Sequence, residues 1–398
     1  MQIKHMIRFG IAATAALALS ACVSTAGDKD GGDAIVIGAA IAKTGFMASF
    51  DMPVYHSLEI AVDKANANGG IGGRRIQLKA IDNKSDSTQS ANAASRLIEQ
   101  GADLLIVTCN FSTGGPAATV AQNAGVLSIA PCASDTRFGP LGLGDLVFNL
   151  GMSIPTEGAA LADYALAKGW KRVYTLTDTE LDYPKNTCEA FEKRFTELGG
   201  KIGGKDVFRN SDQAIASQVS RVSRAGRGAV DALVLCSYPP GGAMAALQLR
   251  QGGIDAPILA NFGMDGDYWA KSLPQLSDFY VISPASIFGD DPEPEVNQLL
   301  NDYRKKAGGN PPTGAFVYGA STFQLIEQVI EETGGTDGKK MAAALEKSTN
   351  LQTITGPMRF GTDYHVDFEW DVRVLKATGG RFSYAETVKP RNARALVK

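Results

Sequence analysis

The sequence is poor in histidine, in net charge and in long apolar runs. Its 398 residues include only His5, His56 and His365, which leaves little material for a histidine-based metal site or catalytic triad. Lysine and arginine total 39 against 42 for aspartate and glutamate, a net charge of −3. Because there is no basic excess to neutralise phosphates, we expect no nucleic-acid partner. Beyond residue 21, no apolar run reaches the roughly 18 residues that a membrane-spanning helix needs.

Common enzyme motifs are also missing. The sequence contains no G-x-S-x-G elbow, no S-x-x-K and no H-E-x-x-H. Gly199–Lys205 has the spacing of a phosphate loop, but Asp206 follows it where a serine or threonine is needed for magnesium. The stretch also joins a predicted helix to a predicted strand, which is the wrong order for a phosphate loop. We therefore expect a protein that is not an enzyme, with no cofactor and no metal.

The length indicates more than one compact unit. A chain of 398 residues exceeds the roughly 250–300 residues at which a single hydrophobic core stops growing. Hydrophobic residues at 44% and charged residues at 20% are typical of a globular protein. We therefore expect two domains of ordinary size.

The N-terminus has the pattern of an export signal. Lys4 and Arg8 precede an apolar run, Phe9–Leu19, which is too short for a stable membrane anchor. The following Leu19–Cys22 (LSAC) resembles the bacterial lipobox, which implies cleavage of residues 1–21 and acylation of Cys22. The alternative is an ordinary signal peptide with an incidental cysteine. Residues 22–33 are then a flexible tether, and we expect a periplasmic protein held on a membrane by its lipid.

Strand and helix patterns alternate in two successive series. Apolar runs without alternation, such as Asp103–Thr108, indicate strands that are covered on both faces. Apolar residues at helical spacing, such as Leu58 to Ala65, separate them. The series restarts near Leu150, and a helix and a strand-rich tail over 356–388 follow it. This alternation predicts an α/β fold with two parallel, doubly wound sheets.

Three segments carry a family resemblance. They are Asn66–Arg75 (NANGGIGGRR), Cys109–Pro116 (CNFSTGGP) and Ser128–Ser134 (SIAPCAS), the last two at the ends of predicted strands. In this order and spacing they resemble the leucine/isoleucine/valine-binding proteins, the type I periplasmic solute-binding components of ABC transporters. The resemblance covers roughly residues 34–388.

The resemblance implies two Rossmann-like lobes joined by a three-strand hinge. The first lobe is expected from 34–151 plus 284–365, the second from 152–283 plus 366–390, and 391–398 remain as a C-terminal tail. It also implies a monomer that captures a branched-chain or other apolar amino acid between the lobes and delivers it to an ABC permease in the inner membrane. One alternative is a lipoprotein of the same fold that senses a ligand or binds a protein partner.

The resemblance and the sheet topology place the site at the loops after the strands. In parallel sheets, ligands bind beyond the carboxyl ends of the strands, where helix N-termini suit a carboxylate. The residues that the resemblance carries over to this site are Phe50, Phe111, Ser112, Cys132, Ala133, Ser134, Tyr183 and Tyr238.

One position departs from the family pattern. The resemblance implies a glutamate that pairs the ligand's ammonium, and Phe262 stands there instead. Burying an ammonium group without a counter-charge costs roughly several kcal/mol of free energy. Asp265 is the replacement that we expect if the loop is reshaped. The alternative is an amine-free aromatic or aliphatic carboxylate, with Phe262 and Phe50 stacking on it.

Four cysteines remain after Cys22, an even number that favours two disulfides in an oxidising compartment. Cys109 and Cys132 follow consecutive strands of the first lobe, where neighbouring strands lie about 4.8 Å apart. In the second lobe, Cys236 follows a strand and Cys188 lies early in a helix from the same sheet end. A disulfide between the lobes would hold the cleft closed and oppose opening at the hinge. We therefore predict the pairs Cys109–Cys132 and Cys188–Cys236.

We predict that Cys22 is the lipidated N-terminus of the mature protein, because LSAC follows a short apolar run. Intact-mass analysis of the membrane fraction is expected to show a chain that begins at Cys22 and carries acyl groups. A soluble mature chain without acyl groups would contradict this prediction.

Overall fold

The computed structural model describes residues 34–225 and 230–397. The predicted signal peptide, Cys22 and the tether lie outside these residues. In chain order the strands are β1 (Ile35–Ile41), β2 (Ile76–Asp82), β3 (Leu104–Val107), β4 (Leu127–Ala130), β5 (Val147–Asn149), β6 (Arg172–Asp178), β7 (Lys201–Phe208), β8 (Ala232–Cys236), β9 (Ile258–Ala260), β10 (Phe279–Ser283), β11 (Leu351–Thr353), β12 (Gly356–Met358), β13 (Val372–Thr378) and β14 (Arg381–Val388).

Helices separate most of these strands. The α-helices are α1 (Ala48–Ala67), α2 (Ser87–Glu99), α3 (Phe111–Ala124), α4 (Ile154–Ala167), α5 (Asp182–Glu197), α6 (Ala216–Arg224), α7 (Gly241–Gln251), α8 (Asp267–Ala270), α9 (Pro294–Ala307), α10 (Val317–Thr333) and α11 (Gly338–Lys347). Short 3₁₀ helices span Phe262–Met264, Gly314–Phe316 and Ala393–Leu396.

The first sheet has the strand order β2-β1-β3-β4-β5, and all its pairs are parallel. Its inner strands β3 and β4 are buried at every residue, as their unbroken apolar sequences predict. Helices α1 and α10 pack against each other on this part of the molecule, together with α9 and α11. We call this sheet and its helices the first lobe.

The second sheet has the order β14-β13-β10-β9-β8-β6-β7. Strands β6 to β10 are parallel, as expected, and β13, from the strand-rich tail, is antiparallel to both β10 and β14. Gly379 and Gly380, with φ of 60° and 73°, form the turn between β13 and β14. Strands joined by so short a turn must run antiparallel. This sheet and its helices form the second lobe.

Within the described residues, the chain passes between the two lobes three times. The passages follow β5, β10 and the segment around Val366. Asn149 at the end of β5 pairs with Val366, and the Asn149 amide donates to the His365 carbonyl at 2.8 Å. The first and third passages therefore run side by side, and the family fold of two lobes with a three-strand hinge is confirmed.

The element boundaries differ from the sequence prediction at α3. The sequence predicts a helix over Pro116–Gly125, but α3 begins at Phe111, and Pro116 lies inside it. Asn110 caps it, because its side-chain oxygen accepts from the Ser112 amide at 3.0 Å. The elements β5, β10, α9 and α11 were not predicted.

Both predicted disulfides are formed. The Cα atoms of Cys109 and Cys132 are 4.9 Å apart, since these residues follow the neighbouring parallel strands β3 and β4. The Cα atoms of Cys188, in α5, and Cys236, at the end of β8, are 5.7 Å apart. Each bond stays within one lobe, so neither of them ties the lobes together.

The C-terminal segment is docked on the second lobe. Ala393 and Leu396 are buried beside Ala159 of α4, and the Lys193 ammonium of α5 donates to the Ala395 carbonyl at 3.0 Å. No helix in the part of the chain that the structure describes is long and apolar enough to cross a membrane.

We predict that Gly319→Ala destabilises the first lobe. Helix α10 crosses α1 at this glycine, where an added Cβ would lie 2.0 Å from the Val54 carbonyl oxygen and 2.6 Å from the Leu58 amide nitrogen. The helices must move apart, which is expected to lower the free energy of unfolding by about 1–3 kcal/mol in urea denaturation. Gly335→Ala is the control, because nothing lies within 4 Å of its added Cβ. Equal stabilities of the two variants would contradict the prediction.

Candidate functional site

A cavity of 320 Å³ lies between the lobes, at the carboxyl ends of strands from both sheets. This volume is in the range of small-molecule sites, about 300–1,000 Å³. The loops after β1, β3 and β4 line it from the first lobe, and those after β6, β8 and β9 from the second. Aromatic side chains form much of the wall: Phe46, Phe50, Phe111, Tyr183, Tyr238, Phe262 and Tyr268.

Most of the predicted site residues meet at this cavity. Ala133 and Asp265 do not line it: Ala133 is fully buried, with its carbonyl packed against Gly151 at the first passage between the lobes. The predicted residues that do line the cavity are Phe50, Phe111, Ser112, Cys132, Ser134, Tyr183, Tyr238 and Phe262.

The aromatic side chains meet across the cleft. Phe50 of the first lobe and Phe262 of the second contact edge to face, with ring centroids 5.5 Å apart. Phe46 and Tyr238 form a second pair across the cleft at 6.4 Å. The two rings that the sequence analysis expected to stack on a ligand therefore contact each other in this structure. They give the cavity an apolar wall that is made by both lobes together.

The N-terminus of α3 faces the cavity from the first lobe. Asn110, Phe111 and Ser112 all line the cavity, and helix N-termini present N–H groups and a positive dipole end. The Ser112 hydroxyl donates to the Asn110 side chain at 2.5 Å, which holds it at the helix end. This corner of the cavity is suited to a carboxylate.

The charged groups at the cavity mouth are already paired. Arg137 binds the Asp135 carboxylate through Nε and NH2 at 2.9 and 2.6 Å, and its guanidinium lies over the Phe111 ring at 3.9 Å. It also approaches Asp182 of the second lobe at 3.8 Å. Glu180 binds Arg209 at 3.3 Å. The cavity lining therefore contains more carboxylates than cations, and its one arginine is engaged.

Glu157, which the sequence analysis missed, lies at the seam between the lobes. It is in the first turn of α4 and has no exposed surface. Its carboxylate accepts from the Ser134 hydroxyl at 2.7 Å, the Tyr183 hydroxyl at 2.9 Å and the Phe262 amide at 3.2 Å. Burial raises its pKa to about 7. In the sequence it is indistinguishable from an ordinary acidic residue in a first helical turn.

Asp265 is fully buried and does not line the cavity, so its placement gives no support to the predicted role opposite a ligand's ammonium. Its carboxylate accepts from the Gly266 amide at 2.7 Å, the Ser283 hydroxyl at 2.9 Å and the Gly314 amide at 2.7 Å. Burial raises its pKa to about 7. Because Gly314 packs with the first lobe, Asp265 ties a loop of the second lobe to the first.

Asp51 is a third buried acid, on the first-lobe side. Its carboxylate accepts from the Ala42 amide at 2.7 Å and the Cys109 amide at 3.0 Å, which holds the loops after β1 and β3 together. Burial raises its pKa to about 7. Asp51 also lies close to Cys109 and Cys132, but these sulfurs are bonded to each other and are not thiolate ligands for a metal.

Comparisons with known proteins match this fold over most of the chain. The family described as periplasmic binding protein matches residues 34–381. An amino acid binding protein of Pseudomonas aeruginosa is 27% identical over 351 residues, which cover 85% of this chain and 90% of that protein. The Leu/Ile/Val-binding protein homolog 1 of Brucella melitensis is 20% identical over 360 residues, 88% of this chain and 93% of that protein.

A solved structure agrees with the fold. The branched-chain amino acid transporter substrate binding protein LivJ of Streptococcus pneumoniae, in complex with isoleucine, superposes with a TM-score of 0.78. It is 24% identical, and the match covers 90% of this chain and 100% of the other.

We predict that the protein becomes less stable as the pH rises from 5 to 8. Asp51, Glu157 and Asp265 have pKa values raised to about 7, so the folded chain binds more protons than the unfolded chain below that pH. Stability from each carboxyl is present in full below its unfolded pKa and is lost as the pH rises through about 7. Each contributes a slope of at most about 1.4 kcal/mol per pH unit.

Urea denaturation at each pH, with the disulfides intact, measures this slope. Asp265→Asn is expected to make the slope shallower, because the variant has one titrating carboxyl fewer. A slope that is the same in both proteins would show that Asp265 does not titrate in this range.

Proposed function

The chain belongs to the periplasmic binding protein family, and on that premise we propose that it captures a small solute between its lobes and delivers it to the permease of an ABC transporter. The observation that carries this proposal is the cavity at the carboxyl ends of two facing sheets, lined from both lobes. A solute in this cavity touches both lobes at once.

Contact with both lobes provides the mechanism of capture. The lobes that we propose as moving bodies are 34–151 plus 284–365 and 152–283 plus 366–390. A solute that contacts both binds the closed arrangement more tightly than an open one, so it shifts the population towards closure. The passages between the lobes are the hinge, and the two disulfides leave it free because each lies within one lobe.

We propose an apolar amino acid as the solute, branched-chain or of similar size. The relatives named for amino acid and Leu/Ile/Val binding support this class, and so does the apolar wall of the cavity. The N-terminus of α3 would hold the carboxylate, and the Phe50–Phe262 pair would contact the side chain. Binding and release without chemical change is the expected role, since the family is one of solute-binding proteins.

We further propose that the protein works in the periplasm as a monomer, held on a membrane by acylation of Cys22. The export pattern of residues 1–21 and the LSAC segment support this location. Residues 22–33 would then connect the acylated Cys22 to the first lobe.

The function is tested by calorimetric titration with leucine, isoleucine, valine, phenylalanine and their amine-free analogues. Binding is expected to raise the melting temperature as well, because a ligand at 100 times its Kd stabilises by about 2.7 kcal/mol. A chain that binds no member of this panel would contradict the proposed function.

Phe50→Ala is expected to weaken solute binding by about tenfold or more, because it removes one side of the apolar wall. Tyr384→Ala is the matched control: Tyr384 is also a half-buried aromatic, but it lies on β14, away from the cavity. Equal affinities of the two variants would show that Phe50 does not contribute to solute binding.

A further inference from the structure

We propose that Glu157 is the counter-charge for an ammonium group on the solute, and that it selects ammonium-bearing solutes over amine-free carboxylates. The inference rests on the proposed function and deepens it, because it assigns a residue that determines which class of solute binds.

Glu157 lies directly behind residues of the cavity wall. Glu157 receives hydrogen bonds from Ser134, Tyr183 and Phe262, and each of these three residues lines the cavity. They follow β4, β6 and β9, so strand ends of both sheets converge on one carboxylate. Glu157 itself does not line the cavity, but these three lining residues are in direct contact with its carboxylate.

Glu157 is a buried carboxylate without a cationic partner among the residues that the structure describes. Within the described part of the chain, Glu157 has no ion pair with a lysine, arginine or histidine, although it is fully buried. A buried carboxylate without a cation is costly, and a bound ammonium removes that cost. The other carboxylates at the cavity are paired: Asp135 and Asp182 with Arg137, and Glu180 with Arg209.

The Glu157 carboxylate also lies close to the position that Phe262 occupies. The family resemblance implies a glutamate there, and the Phe262 amide nitrogen lies 3.2 Å from the Glu157 carboxylate. The Phe262 side chain carries no negative charge, but the Glu157 carboxylate lies within hydrogen-bond distance of the Phe262 backbone. Asp265, the nearest acid in the sequence, is engaged by three donors outside the cavity.

Three neutral groups donate to Glu157. They are the Ser134 hydroxyl, the Tyr183 hydroxyl, which lies within hydrogen-bond distance of both carboxylate oxygens, and the Phe262 amide, and none of them carries a positive charge. The titratable groups that face Glu157 are the phenols of Tyr183 and Tyr318, and burial raises the pKa of both. Both phenols are neutral near pH 7, so Glu157 is the group among these three that carries negative charge.

The test compares each amino acid with its amine-free analogue in calorimetric titrations: leucine with 4-methylpentanoate, and phenylalanine with 3-phenylpropanoate. The unmodified protein is expected to bind the better amino acid about 100-fold more tightly than its analogue. Equal affinities within each pair would overturn the role of Glu157 and leave the proposed function standing. Failure to bind either member of any pair would contradict the proposed function itself.

Glu157→Gln keeps the shape of the side chain and removes its charge. We expect this variant to lose about 100-fold in amino-acid affinity and to keep nearly the same affinity for the analogue. The ratio of the two affinities is then expected to fall towards one. Asp265→Asn is the matched control, because it also neutralises a fully buried carboxyl that bridges the lobes. It is expected to leave the ratio unchanged, whatever its effect on closure. An unchanged ratio in Glu157→Gln would overturn the proposal.

Proton release supplies a readout that needs no variant. The pKa of Glu157 is about 7 in the structure without solute, and a neighbouring ammonium favours the ionised form. Amino-acid binding at pH 7 is therefore expected to release a fraction of a proton, measured by titration in buffers of different ionisation enthalpy. The amine-free analogue is expected to release none. Identical proton release for both ligands would contradict the proposal even if Glu157→Gln fails to fold.

Discussion

The site depends on the way the parallel strands of two sheets end facing each other, beside the three chain passages between the lobes. In a parallel sheet every strand ends at the same edge, so the loops that follow the strands form one surface. The pairing of Asn149 with Val366 sets two of the passages side by side and turns the loop surfaces of the two lobes towards each other. The cavity, its aromatic wall and the helix N-terminus at its corner all follow from that arrangement.

Buried carboxylates hold this surface together. Asp51 joins the loops after β1 and β3 within the first lobe, and Asp265 joins a loop of the second lobe to Gly314. Both carboxylates are surrounded by amide and hydroxyl donors, which offset part of the cost of their burial. Glu157 is built in the same way, but its donors line the cavity, so the same local chemistry is available to a solute there.

Several features followed from local patterns. Apolar runs indicated the strands of both sheets, and the segments at strand ends pointed to the loops that now line the cavity, among them those of Phe111 and Ser134. The disulfide pairs could be predicted because Cys109 and Cys132 follow neighbouring strands, where the strand spacing limits their separation. The antiparallel hairpin of β13 and β14 was missed, since apolar alternation does not report strand direction.

The sequence by itself determined most of the strands and helices and which loops follow the strands, because apolar periodicity is a local property of the chain. Only the tertiary structure decided which carboxylate lies at the seam between the lobes. Asp265 is closer in sequence to Phe262 than Glu157 is, yet Asp265 turns away to Gly314, and Glu157 reaches the Phe262 amide across 105 positions of the chain. Such contacts depend on how α4, which follows the first passage between the lobes, packs against the loops of both sheets. Local sequence patterns do not determine that packing.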